Sequence, residues 1–180
     1  MGGHGAVAYE VVDDVKLGLV LRRSGVPQGA IDSGGLVHLR WNAGALATMR
    51  GLLKNIFAAV EYRWPIAIFG AALCFVAVTA PFAALVLTDG VPFWMAAITV
   101  ALNLGLHAGC ARDAARGSGL EGLLYPLTQA GLGMVLLASA LGAERRGGIL
   151  WRDTFYPLGA LRARCVRERD WPAAGAPGWP

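Results

Sequence analysis

Two adjacent acids, Asp13 and Asp14, are the residues of this sequence whose type and position best fit a chemical role. They lie in residues 10–24, where apolar residues recur at helical spacing and Gly25 would end the helix. Neighbouring side chains on a helix point about 100° apart, so only one of the two carboxylates can face a ligand squarely. A carboxylate at a partly buried helix start can act as a general base toward a hydroxyl group. Alternatively, the pair only complements the helix dipole.

Other polar residues give weaker signals. Cys74, Cys110 and Cys165 are far apart and show no CxxC spacing, so the sequence predicts neither a zinc site nor a disulfide framework. Asn103 and His107 lie within an apolar stretch, where such residues more commonly form interhelical hydrogen bonds than take part in function. The net charge of +4 is concentrated near the apolar stretches and in the tail, which favours anionic lipid headgroups over nucleic acid as the partner.

Three long uncharged stretches dominate the chain. Asp, Glu, Lys and Arg are absent from residues 64–88, 90–111 and 122–143. At about 1.5 Å per residue, each stretch is long enough to cross about 30 Å of hydrocarbon as a helix. The chain lacks the large polar shell that would bury such helices in a soluble core, so we predict a mainly α-helical membrane protein. The expected transmembrane region is 64–143, with helices at about 65–87, 93–109 and 123–141.

Polar segments flank this region. Residues 26–31 and 36–41 could form two short strands joined by a turn. Residues 44–63 carry one apolar stripe and predict an amphipathic helix, either packed on a soluble domain or lying in the headgroup plane. We favour the interfacial position because the first apolar stretch follows directly, with Trp64 as an anchor. Residues 144–180 form an Arg-rich tail whose end we expect to be disordered.

The predicted topology contains a conflict. If residues 1–63 are cytoplasmic, three complete crossings place the Arg-rich tail on the outside, whereas the positive-inside rule places it inside. A segment that does not fully cross would remove the conflict. The sequence favours the third stretch for this role, because Pro126 and Gln129 interrupt it.

Several short motifs follow one another along the chain. They are Gly2-Gly3-His4, the acid-pair helix with Leu17-Gly18, Arg22-Arg23-Ser24-Gly25, Leu36-Val37-His38-Leu39-Arg40-Trp41, Arg50-Gly51-Leu52-Leu53-Lys54-Asn55-Ile56-Phe57-Ala58 and Gly148-Ile149-Leu150-Trp151-Arg152-Asp153-Thr154-Phe155-Tyr156-Pro157-Leu158. Their order and spacing resemble the C-terminal portion of the membrane-bound family 2 glycosyltransferases, nearest to the ceramide-glucosyltransferase-like and hopanoid- or carotenoid-associated group. The resemblance covers nearly the whole chain and implies that residues 1–43 are a remnant of a GT-A α/β catalytic domain.

The resemblance also implies roles for the polar residues. Asp14 would be the general base that deprotonates the acceptor hydroxyl, and Asp13 would support it. His4 would lie near the acceptor side of the cleft. Arg40 and Trp41 would match the end of a Gln-x-x-Arg-Trp element that contacts the sugar-nucleotide diphosphate and lines the acceptor site. The Gln position holds Leu36 or Val37, depending on register, and this departure favours a single sugar transfer to a lipid over polysaccharide synthesis.

Parts of the family's machinery have no counterpart in the chain. The family binds its nucleotide through an N-terminal βαβ half and holds a divalent metal, Mg²⁺ or Mn²⁺, through an Asp-x-Asp motif. No Asp-x-Asp occurs in the sequence, and we expect the nucleotide-binding half to be missing from this chain, although the leaving diphosphate needs its charge neutralised. We therefore expect a C-terminal part, without a cofactor of its own, that does not transfer sugar alone.

The expected partners are membrane lipids, together with a nucleotide-sugar and a lipid acceptor for the full-length enzyme. The expected location is a bacterial inner membrane with residues 1–63 cytoplasmic. The alternative function is a non-catalytic membrane anchor or accessory subunit, in which Asp13 and Asp14 only cap a helix.

Overall fold

The computed structural model describes residues 5, 7–29, 42–115, 117–151 and 153–165. The chain divides into two compact units, which we call the polar unit and the apolar unit. The polar unit is Met1–Trp64 together with Ala138–Pro180, and the apolar unit is Pro65–Leu137.

The polar unit begins with helix α1, Asp13–Arg23. Asp13 and Asp14 occupy its first turn and Arg22 and Arg23 its last, so charges at both ends complement the helix dipole. The helix ends before Gly25, whose φ of 76° is a backbone conformation typical of a helix terminus. The described helix therefore starts later than the 10–24 segment that periodicity predicts.

Helix α2, Ala45–Ala59, is the amphipathic helix expected within 44–63. Its apolar stripe is unevenly covered: Phe57 is fully buried, whereas Leu46 and Met49 are 61% and 46% exposed. Just beyond α2, Glu61 and Tyr62 both adopt positive φ angles of 57° and 56°, which end the helix in a turn before the first apolar helix.

The tail contributes folded structure to the polar unit. An antiparallel hairpin, β1 (Gly148–Trp151) and β2 (Thr154–Pro157), is followed by helix α6, Leu158–Arg164. Ile149, Leu158 and Leu161 are buried and give this segment its apolar core. Hydrophobic periodicity predicts no element here, because strands of four residues are too short for alternation to stand out. The expected disorder of the chain end concerns residues beyond the described part.

Three described helices are long and apolar enough to cross a membrane. This confirms the prediction of a mainly helical chain with three segments that could span a membrane. They are α3 (Trp64–Leu87), α4 (Gly90–Ala115) and α5 (Tyr125–Arg146), with a 3₁₀ turn at Leu120–Leu124 before α5. Within the apolar unit, α3 and α5 approach closely at small residues. A Cβ on Gly133 would lie 3.1 Å from the Cβ of Cys74, and one on Gly70 would lie 3.2 Å from Leu136.

The two strands predicted at 26–31 and 36–41 fall largely on residues that the structure does not describe. The described part, residues 26–29, has no regular secondary structure. The structure therefore offers no β element of a GT-A domain among the described residues of the N-terminal segment.

Candidate functional site

The acid pair forms the start of α1. Asp13 is half-buried and Asp14 is exposed. The Asp13 Oδ1 atom accepts a hydrogen bond from the Asp14 N–H at 3.1 Å, and the Asp14 Oδ1 atom accepts one from the Val15 N–H at 2.8 Å. These N–H groups belong to the first turn of a helix, where backbone donors have no intrahelical acceptor. Asp14 is thus oriented by the backbone and accessible to a hydroxyl group, and the dipole-complementing alternative is satisfied by the same geometry.

A buried ion pair anchors the helix that carries these acids. The side chain of Lys16 is only 8% exposed, and its Nζ lies 3.3 Å from Glu61 Oε1, whose side chain is 17% exposed. Glu61 belongs to the positive-φ turn that precedes Trp64. The pair therefore connects α1, one turn beyond Asp13, to the turn that precedes the first apolar helix.

Glu10 forms the centre of a second buried group. Its residue is 1% exposed, and the Cys165 thiol donates to Glu10 Oε2 with an Sγ–O distance of 4.0 Å. Burial, and then the negative charge of Glu10, raise the pKa of the Cys165 thiol to about 12. Burial, followed by the charges of Glu10 and Cys165, also raises the pKa of Tyr62 well above its usual range. Both groups are therefore protonated at neutral pH.

Residues at the end of α5 and in α6 bind the start of α3. The Trp64 Nε1–H donates to Glu144 Oε1 at 2.9 Å. The Arg162 guanidinium donates to the same Glu144 oxygen and to the Tyr62 carbonyl, the latter at 3.3 Å. In addition, the buried Ser139 hydroxyl in α5 donates to the carbonyl of Leu53 in α2 at 2.6 Å. These bonds hold the edge of the polar unit together where the apolar helices begin and end.

Of the site residues predicted from sequence, the described part of the chain places only the acid pair. Asp13 and Asp14 lie side by side, whereas His4, Arg40 and Trp41 are outside the described residues. Among the described residues, no group of three or more His, Cys, Asp or Glu side chains could hold a metal ion. The acid pair alone is not such a group.

The buried charges were missed by sequence reasoning. Lys16 stands between Val15 and Leu17, and a charge inside an apolar run is the signal that could have drawn attention to it. Its partner Glu61 is 45 residues away, and Cys165 is 155 residues from Glu10. Separations of this size leave no local pattern, so only the fold reveals the pairing.

Comparison with known protein families, curated proteins and solved structures found no match. The function must therefore be argued from the residues of this chain and from the order of its short motifs.

Proposed function

We propose that this chain is the acceptor-side and membrane-anchoring part of a glycosyltransferase that moves a sugar from a nucleotide-sugar to a lipid-like hydroxyl group. The observation that carries the proposal is Asp14, exposed at the start of α1 and oriented by the Val15 N–H. The same unit continues at Trp64 into an apolar helix long enough to cross a membrane. A base on a membrane-anchored unit suits an acceptor that is itself a lipid. The motif resemblance supports the same chemistry.

In the proposed reaction, the Asp14 carboxylate accepts the proton of the acceptor hydroxyl. The acceptor oxygen attacks the anomeric carbon of the donor sugar as the bond from that carbon to the diphosphate oxygen breaks. The diphosphate leaves with the bonding electron pair, and attack from the opposite side inverts the configuration at that carbon. Asp13, whose Oδ1 accepts the Asp14 N–H, supports the first turn of α1.

The remaining functions belong to other segments. Arg40 and Trp41 are proposed to meet the donor diphosphate, and His4 to lie toward the acceptor. We assign nucleotide binding to a nucleotide-binding half with an Asp-x-Asp motif. That motif would hold an Mg²⁺ or Mn²⁺ ion, which would supply positive charge for the leaving diphosphate. We place the enzyme in a bacterial inner membrane with residues 1–63 cytoplasmic, where nucleotide-sugars are available, and expect no transfer by this chain alone.

Helix α2 is proposed to lie at the headgroup level. Its exposed Leu46 and Met49 would enter the acyl boundary, while Trp64 would lie among the headgroups. This position would bring a lipid acceptor toward the polar unit without extracting it from the membrane.

The proposal is tested by measuring sugar transfer in membranes. Cells would express this chain alone, or together with an in-frame or co-expressed βαβ half that carries Asp-x-Asp, taken from the same genomic region. Isolated membranes would receive a panel of radiolabelled nucleotide-sugars with Mg²⁺ or Mn²⁺. We expect label in the organic-soluble lipid fraction only when both halves are present. Absence of transfer with both halves and every donor would contradict the proposal and favour a non-catalytic anchor or accessory subunit.

A further inference from the structure

The two ends of the chain fold into one unit. Beyond the Cys165–Glu10 hydrogen bond, the Arg164 guanidinium lies 4.2 Å from the centre of the Tyr9 ring, and Tyr9 packs edge-on against Tyr156 at 6.4 Å. Segments that contact each other in this way lie on the same side of a membrane. The number of crossings between Trp64 and Glu144 is therefore even, so one of the three apolar helices does not cross.

Helices α3 and α5 run antiparallel along one another. Tyr125 at the start of α5 donates its hydroxyl to the Ala77 carbonyl at 3.0 Å, and Leu136 lies against Gly70, nearer the start of α3. At the other end, Glu144 binds Trp64, the first residue of α3. From Tyr125 to Glu144, α5 extends about 28 Å at about 1.5 Å per residue, close to the thickness of a hydrocarbon core. Both helices therefore have the length and the opposed directions of a pair of crossings.

Both ends of α4 lie toward the far ends of that pair. Gly90 follows Leu87, the last residue of α3, after only two residues. Further along α4, the His107 ring lies 4.7 Å from the Tyr125 ring at the start of α5. Gly122, in the 3₁₀ turn before α5, is so close to α4 that a Cβ on Gly122 would lie 2.7 Å from the backbone nitrogen of Ala108. A helix that begins just after Leu87 and lies beside Tyr125 near its other end does not make a second crossing between them.

We infer that α3 and α5 are the two crossings and that α4 is an embedded helix whose exposed surface docks on lipid acyl chains in the leaflet that holds Leu87 and Tyr125. Large apolar side chains cover that surface and are 58–67% exposed: Trp94, Met95, Ile98, Leu102 and Leu106. They lie in residues 90–111, which carry no charge, so the surface that they form is suited to acyl chains rather than to water. The sequence had favoured the third stretch as the incomplete crossing, and the geometry points to the second.

The distribution of charge agrees with this topology. Arg63 at one end of the spans and Arg145 and Arg146 at the other lie at the same membrane face, while Arg112 is accompanied by Asp113 at the opposite face. The positive-inside rule then assigns the polar unit to the cytoplasm. The conflict between a cytoplasmic N-terminal segment and an external Arg-rich tail no longer arises.

Single-cysteine labelling tests the inference without reference to sugar transfer. Cys74, Cys110 and Cys165 would be replaced by Ala, and one cysteine introduced at Gln28, Asp89, Ser118 or Thr154, all of which are exposed. A membrane-impermeant maleimide would be applied to intact spheroplasts and to lysed ones. We expect Asp89→Cys and Ser118→Cys to react in intact spheroplasts, and Gln28→Cys and Thr154→Cys to react only after lysis.

Any other pattern overturns the inference. Three crossings would shield Ser118→Cys together with Gln28→Cys and expose Thr154→Cys together with Asp89→Cys. If the cysteine-free chain does not accumulate, the wild-type chain carrying green fluorescent protein or alkaline phosphatase at its C-terminus gives a second reading. Fluorescence without phosphatase activity is expected, and phosphatase activity without fluorescence would contradict the even number of crossings.

Discussion

At the scale of single residues, buried charged side chains stabilise the polar unit, and no local sequence pattern predicts their partners. The acid pair could be predicted because its position at a helix start is a local property of neighbouring residues. The pairing of Lys16 with Glu61 could not, because Glu61 lies beyond α2, within a turn of positive φ angles. Asp14 could therefore be identified from the sequence, whereas the ion pair that anchors its helix could not.

Replacing Lys16 with Met is expected to lower the free energy of unfolding by about 3 kcal/mol, because it leaves the mostly buried Glu61 carboxylate without that partner. Arg22→Met, on the exposed surface of the same helix, is the matched control and should change it by less than about 0.5 kcal/mol. Urea unfolding in detergent, followed by tryptophan fluorescence, would measure both. Equal losses in the two variants would show that the ion pair does not stabilise the unit.

Alkaline pH should destabilise the polar unit. The folded Cys165 thiol has its pKa raised to about 12, and the pKa of Tyr62 is also raised, whereas unfolded Cys and Tyr ionise near about 8.5 and 10. Above about pH 8.5 the unfolded chain therefore binds fewer protons than the folded chain, and stability falls as pH rises. This contribution is fully present below about pH 8.5.

The melting temperature, measured in detergent from pH 7 to 11, would show this decline. The double variant Cys165→Ala with Tyr62→Phe removes both titrating groups and should flatten the curve. A wild-type curve that is already flat would contradict the burial of these two groups.

At the scale of elements, periodicity and length explain what could be predicted. The apolar stretches became α3, α4 and α5, and the stripe of residues 44–63 lies on α2. Helix α1 starts after Glu10 because that residue is buried in a turn, with its N–H bonded to the Val7 carbonyl at 2.9 Å. Which helices cross could not be read from hydropathy, since α4 and α5 are equally apolar. Only their contacts distinguish them.

Gly122 is expected to be essential for the packing of the 3₁₀ turn on α4. A Cβ at this position would meet the backbone of Ala108 at 2.7 to 2.9 Å, so Gly122→Ala should cost about 1–3 kcal/mol. Gly131→Ala in α5 is the control, because a Cβ there has nothing within 4 Å and the helix gains propensity. Thermal unfolding in detergent should show a lower melting temperature only for Gly122→Ala. Unchanged melting in both variants would contradict the close approach.

At the scale of the whole molecule, the chain begins and ends in the same unit, with the apolar helices between. The tail was predicted only as an Arg-rich extension, yet its hairpin and α6 supply Leu161, which is fully buried, and Arg162, which binds Glu144. Such long-range closure leaves no periodic signal in the sequence. Because of these contacts, the tail is a structural part of the unit that carries Asp14. Loss of the tail is therefore expected to disturb the structure around the acid pair as well as the start of α3.

The proposed role of Asp14 is tested most directly by measuring sugar transfer to lipid when this chain is expressed with the proposed nucleotide-binding half, with Asp14→Asn compared to Asp13→Asn. The amide preserves size and can still accept the Val15 N–H, but it cannot take a proton from the acceptor. We expect Asp14→Asn to lower kcat by roughly 10²- to 10⁴-fold with little change in the KM for the nucleotide-sugar, and Asp13→Asn to have a smaller effect. Near-normal turnover by Asp14→Asn would contradict the assignment of this residue as the base and leave Asp13 and Asp14 as acids that only complement a helix dipole.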